Sequence, residues 1–184
     1  MQRQLTDEQE LALIHLAQNN PTDFSFLYEA YIERIYGYVF YRLNNQQDAE
    51  DVVSDIFMKI ICNIKQYNPS QGSFSAWAFG IARNTSIDFF RSKKANIISM
   101  ENIAPLPSLD LSQEERLMNS ERSLYIRHAI SKLSTRRQEV ITLKYFAGLR
   151  NQEIAAVLKL DERTIASHLS RALKDLETAL AEDK

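Results

Sequence analysis

The chain has 184 residues, 45% hydrophobic and 25% charged, with a net charge of −2, four glycines, four prolines and a single cysteine. That length holds one ordinary domain or two small ones, and the composition is that of a folded soluble protein rather than a disordered or fibrous one. An internal disulfide and a cysteine-built metal site are excluded, no run approaches the ~18 apolar residues of a membrane span, and scarce Gly and Pro leave little punctuation for hairpins, so an all-α protein is expected.

In chain order, MQRQLTDEQE is too acidic and polar for a signal peptide, so a cytoplasmic protein is expected. Thr6 and Gln9 spell a capping box for a first helix, which carries Leu11, Ile14, Leu16 and Ala17 to a break at Asn19, Asn20 and Pro21. A second helix starts near Thr22 and ends near Asn44, with Phe24, Leu27, Tyr28, Tyr31, Ile35, Tyr38 and Val39 as an apolar stripe. The third spans about Gln46 to Ile64, with Ala49, Val52, Val53, Ile56, Phe57 and Ile60 inward. Its other face lines up Asp48, Asp51, Ser54, Asp55 and Met58 at steps of three and four. Read alone, that acidic strip is a solvated face, and without histidines it makes a poor metal site. Cys62, in the run Ile60–Ile61–Cys62, reads as a buried structural thiol.

Residues 65–73 are turn-rich (Tyr67, Asn68, Pro69, Gln71, Gly72) and separate the third helix from a fourth, GSFSAWAFGIARNTSIDFFR. In that helix Phe74, Ala78, Ile81, Ala82, Thr85 and Phe89 form a core stripe. Gly80, Arg83, Asn84, Ile87, Asp88 and Arg91 share the other side, with Trp77 one turn earlier at its edge. Periodicity alone fits an ordinary amphipathic helix. Cations, an amide and an indole on one face also suit nucleic acid: charge for phosphate, amide for base edges, ring for stacking.

Periodicity fails from Ala95 to about Leu111, which reads as an acidic linker. Ser112 and Glu115 spell a second capping box, for a helix running to about Leu133. Ser134 or Thr135 caps the next, which places Val140, Ile141, Leu143 and Phe146 inward and closes at Gly148. Asn151 is expected to cap a short helix, QEIAAVLKL. Asp161 or Thr164 starts a last one through Ile165, Leu169, Ala172, Leu173, Leu176 and Leu180. A short helix, a tight turn and a longer helix give helix-turn-helix spacing. That half alone leaves a stand-alone helix-turn-helix regulator open.

Charge divides unevenly: residues 1–95 hold 9 basic and 11 acidic side chains, 96–119 hold 1 and 4, and 120–184 hold 12 and 9. The basic excess at the C-terminal end is modest, so the isolated chain should bind DNA weakly. His15, His128 and His168 lie on separate helices, and there is no Gly-rich phosphate loop. No catalytic residue, metal site, cofactor or small-molecule substrate is expected.

DAEDVVSDIFMKII, the loop NIKQYNPSQGSF and the fourth helix together resemble region two of the bacterial sigma factors, in their extracytoplasmic-function group. LSTRRQEVITLKYFAGLRNQEIAAVLKLDERTIASHLSRALKDL resembles region four of the same group. The resemblance implies two small helical domains joined by a flexible linker: 1–95 for core polymerase binding and minus-ten recognition and melting, a linker over 96–119, and 120–184 for the minus-thirty-five element. It implies that Asp48, Asp51, Ser54, Asp55 and Met58 dock on RNA polymerase, and that the linker threads the polymerase cleft. It also implies that Tyr67, Asn68, Gln71, Trp77, Arg83, Asn84, Ile87 and Arg91 meet minus-ten DNA, with the loop holding a flipped base. The partners it implies are core RNA polymerase, promoter DNA and an anti-sigma factor, without membrane insertion. Two departures stand out. Lys159 occupies a turn position often held by glycine, and Ala166 and His168 stand where basic residues are common. Duplex readout must therefore lean on Arg163, Thr164, Ser167, His168 and Arg171.

Overall fold

The computed structural model describes residues 6–97 and 125–182, and every regular element among them is helical. The proposed linker over 96–119 and the Ser112/Glu115 capping box fall almost wholly outside the described residues. Helix α1 (Asp7–Asn19) opens with the expected capping box: the Thr6 hydroxyl accepts from the Gln9 amide and the Gln9 side chain accepts from the Thr6 amide. Asp7, Glu8 and Glu10 in its first turn complement the helix dipole. Ile14 and Ala17 are buried, whereas Leu11 and Leu16 face out, off the side of the helix that Glu10, Leu13, Ile14, Ala17 and Gln18 turn toward the core.

A short 3-10 turn, Pro21–Asp23, delays α2 to Phe24–Leu43, and Asn44 in the left-handed region ends it. Its buried residues are Phe24, Leu27, Tyr31, Ile35, Tyr38 and Val39; Tyr28 lies at the rim with its ring 4.6 Å from that of Phe57. Asn45 caps α3 (Gln46–Asn63) by accepting from the Asp48 amide at 2.9 Å. The two-residue connection makes α2 and α3 an antiparallel pair, and the expected inward residues of α3 are all buried. Cys62 is the exception to the apolar run: it is exposed, because it falls a full turn past Met58 on the solvent face.

Helix α4 (Phe74–Ile97) runs past the expected end at Arg91 to Lys94. Ser73 caps it, the hydroxyl accepting from the Ala76 amide at 3.2 Å. Phe74, Ala78, Ala82 and Thr85 are buried as read, but Ser75, Phe79 and Ser86 are buried too. A helix covered on two sides needs a wider stripe than one amphipathic face supplies. Phe79 meets Tyr38 edge-on at 5.7 Å, and the Ser86 hydroxyl is satisfied by the Ala82 carbonyl at 2.8 Å.

The second side of α4 is covered by the C-terminal helices. These are α5 (helical over 125–131), α6 (Thr135–Ile141), a wide π-type turn over Thr142–Phe146, α7 (Asn151–Leu158) and α8 (Glu162–Glu182). Arg150, not Asn151, is the residue before α7; its amide donates to Glu153 at 2.7 Å, while the Asn151 side chain accepts from Lys144. Between α7 and α8, the Leu160 amide returns to the Ala155 carbonyl and the Lys159 amide to that of Ala156, the paired bonds of a Schellman ending. The buried residues of both halves form one continuous core. At its seam Tyr41 packs on Phe146, ring centroids 4.5 Å apart, and Arg127 lies over Phe40.

Candidate protein and nucleic-acid interfaces

Three surfaces emerge from these helices. On α3, Asp51, Ser54 and Asp55 are exposed, and Met58 is 60% exposed, a large apolar side chain left among carboxylates. The steps of three and four continue to the exposed thiol of Cys62, which the sequence reading had placed inside. Asp48 differs from the rest of the strip: it is half-buried and ion-paired with Lys93 from the far end of α4.

The second surface is the loop after α3 with the solvent side of α4. Gln18 of α1 anchors the loop's start, donating from Nε2 to the carbonyls of Ile64 and Tyr67 at 2.9 and 3.1 Å. Tyr67 is core, in contrast to the reading that put its ring in a base pocket. It is buried between Phe74 and Trp77, its hydroxyl donates to the Gly72 carbonyl at 2.9 Å, and burial raises its pKa. Trp77 is half-buried, its ring 5.4 Å from that of Phe74, so only part of the indole is open to a ligand. Asn68 and Gln71 are exposed; the Asn68 side chain accepts from the Ser70 amide and hydroxyl, which shapes the turn. Gly72, at φ +147°, occupies a backbone region that side-chain-bearing residues avoid. Asn84 and Arg91 are exposed, Ile87 half-buried, and Arg91 lies 4.0 Å from Asp88.

Arg83 is not open to solvent in the same way. Its Nε donates at 2.6 Å to Glu139 of α6, whose carboxylate also meets Arg42 of α2 at 3.6 Å and Arg136 at 3.4 Å. Ten residues earlier on α4, Ser73 donates at 2.8 Å to Glu153 of α7. The nearby Arg34 of α2 donates at 2.8 Å to the Ala147 carbonyl. Tyr38 is wholly buried beside this cluster, and burial pushes its pKa up to about 12 despite the neighbouring Arg42.

The third surface is on α8. Arg163, Ser167 and Arg171 are exposed on the side away from the buried Ile165, Leu169 and Ala172, whereas Thr164 and His168 are half-buried and flank that stripe. Three of the five residues expected to read DNA therefore share the solvent side of α8, and the other two lie at its border with the core.

The model of the sigma-70 region 2 family matches residues 27–96, and that of sigma-70 region 4 matches 123–176. The ECF RNA polymerase sigma factor BldN of Streptomyces coelicolor is 28% identical over 175 residues, 94% of this chain and 66% of that protein. SigW of Bacillus subtilis, also an ECF sigma factor, is 28% identical over 166 residues, 85% of this chain and 88% of the relative. The chain belongs to the extracytoplasmic-function sigma factors. Members of the family direct promoter recognition and transcription initiation, and that is the role of this sigma factor. Its fold agrees with the solved structure of CnrH in complex with the cytosolic domain of CnrY, at TM-score 0.73 and 23% identity over 95% of this chain and 99% of that one. The sigma factor RpoE in complex with the anti-sigma factor NepR from Bartonella quintana gives TM-score 0.65 and 22% identity, covering 88% and 99%.

Against this sigma factor's fold, the sequence reading missed Arg34, Arg42, Glu139 and Glu153. The two arginines sit at partly covered edges of the α2 stripe. The two glutamates are buried at positions where an isolated amphipathic helix would face water. Glu153 did leave a signal, three residues after Arg150 at the cap of α7, where a capping box places an acid.

Proposed function

We propose a division of the sigma-factor role among these surfaces. Asp51, Ser54, Asp55 and Met58, with Asp48 at the edge, dock on core RNA polymerase. Asn68, Gln71, the open part of Trp77, Arg83, Asn84, Ile87 and Arg91 engage the minus-ten strand. Tyr67 acts behind them, as the buried brace of the loop. Arg163, Thr164, Ser167, His168 and Arg171 read the minus-thirty-five element from the major groove. The corresponding segments are 1–95, a linker over 96–119, and 120–184. Among the described residues no helix is long and apolar enough to cross a membrane, and the sigma factor works on polymerase in the cytoplasm, without enzymatic chemistry. An anti-sigma factor restrains it, as the name of the RpoE complex suggests for that relative.

The observation that carries this reading is the α3 face, where exposed carboxylates flank a 60% exposed methionine while the opposite face is wholly core. A single exposed methionine is common on solvated surfaces, but methionine is enriched where proteins dock, and here it lies in line with the carboxylates on the face opposite the core. Reversing both charges, Asp51→Lys with Asp55→Lys, should abolish co-migration with core polymerase in gel filtration and leave helicity unchanged. Normal co-migration of the double variant would return the strip to plain solvated surface.

A further inference from the structure

Beside its apolar contacts, the seam between α2, α4 and the C-terminal helices carries a charged cluster. Its N-terminal side presents Arg34, Arg42 and Arg83 with the Ser73 hydroxyl, and its C-terminal side answers with Glu139 and Glu153. Three guanidinium groups converge on the single carboxylate of Glu139, one of them from its own helix, so positive charge is left in excess. The Tyr38 hydroxyl and Arg42 Nε are buried there without a hydrogen-bond partner of good geometry. Permanent interfaces rarely bury surplus charge and unsatisfied polar groups together. A face whose other ligand carries more negative charge can present both. Each carboxylate stands where a phosphate oxygen could: Glu139 on an arginine fork, Glu153 on a helix-capping hydroxyl.

We propose that Arg34, Arg42, Ser73 and Arg83 form a phosphate-backbone site for single-stranded DNA, and that in the closed chain Glu139 and Glu153 occupy it. The proposal rests on the sigma-factor assignment of α4 to the minus-ten strand and adds to it the α2 arginines and the competing carboxylates. Opening the seam frees Arg83 at the same moment as it exposes Arg34 and Arg42, so DNA and the C-terminal helices exclude each other from one face. The exclusion is sequence-independent, since only backbone charge is read.

The test uses the full chain and a fluorescent twelve-residue oligothymidylate, whose phosphates carry no promoter sequence. Glu139→Gln keeps the shape and removes the charge. It should tighten oligothymidylate binding about tenfold and enlarge the radius of gyration in X-ray scattering. Adding Arg42→Ala should cancel the gain and lower the slope of log affinity against log salt by about 0.7, the value for one phosphate contact on a single strand. Should Glu139→Gln fail to fold by circular dichroism, Glu153→Gln serves instead, because glutamine still closes the α7 capping box. Unchanged affinity and unchanged scattering in a folded variant would overturn the proposal, as would a gain that survives Arg42→Ala. Co-migration of the wild-type chain with core polymerase separates the two claims. Its loss would strike the functional assignment, while its presence beside an unresponsive Glu139→Gln would strike this inference alone.

Discussion

Lys159 holds φ 55° and ψ 49° in the turn between α7 and α8, a left-handed conformation in which its Cβ crowds the following carbonyl. The Schellman bonds and the burial of Leu160 against the core hold it there. Replacing Lys159 with glycine removes the crowding and should raise stability by about 1 kcal/mol, read as a higher urea midpoint at unchanged slope. Tyr67 is the other residue whose role is set by one bond. Tyr67→Phe keeps the packed ring but leaves the Gly72 carbonyl without its donor, a loss of about 1 kcal/mol felt by the loop. We expect nearly normal closed-promoter binding and fewer permanganate-reactive bases, whereas Gln71→Ala, at an exposed side chain, should reduce opening with no change in thermal stability. Opening at the wild-type level in both variants would take the loop out of base capture.

The helices themselves were largely legible, since α1, α2 and α3 show one buried stripe each and the cap of α1 is spelled in Thr6 and Gln9. Legibility ended where an element is packed from two sides. Phe79 and Ser86 lie off the stripe read for α4, and Glu139 and Glu153 look like surface residues until α4 is laid against them. Tyr67 and Trp77 were aromatic residues beside a polar loop, and only the tertiary packing shows that they brace it. The core stripe of α8 needed no such partner to be read, because Ile165, Leu169 and Ala172 recur at steps of three and four and are buried. Arg171→Ala removes one exposed cation from the solvent side of α8 and should weaken upstream protection in footprints, by about 1 to 3 kcal/mol if it makes a bidentate base contact. An undiminished footprint would strike it from the reading residues.

At the scale of the whole molecule, electrostatics assigns most of the work of DNA attraction to a partner. The net charge is −2, and the seam ties Arg83 and Arg42 to Glu139. The free sigma factor should therefore show weak duplex binding with a shallow salt dependence, and holoenzyme should bind the same promoter fragment tightly with a steeper one. Comparing the two salt slopes by fluorescence anisotropy checks this, and equal affinities would show that the chain carries its own attraction.

Helix α4 meets three partners along one unbroken rod: Glu153 at Ser73, Glu139 at Arg83 and Asp48 at Lys93. Each step along an α-helix turns the chain by about 100° and advances it about 1.5 Å, so those meetings depend on an integer number of residues between them. One residue inserted between Arg83 and Lys93 swings Lys93 a quarter-turn or more away from Asp48, while the same insertion in the short 3-10 turn Pro69–Gln71 lies before α4 begins and leaves the spacing along α4 unchanged. Natural length variation among relatives of this chain should therefore gather before Ser73 and be purged after it, so that the gene can drift in sequence along α4 while its reading frame there stays fixed in length.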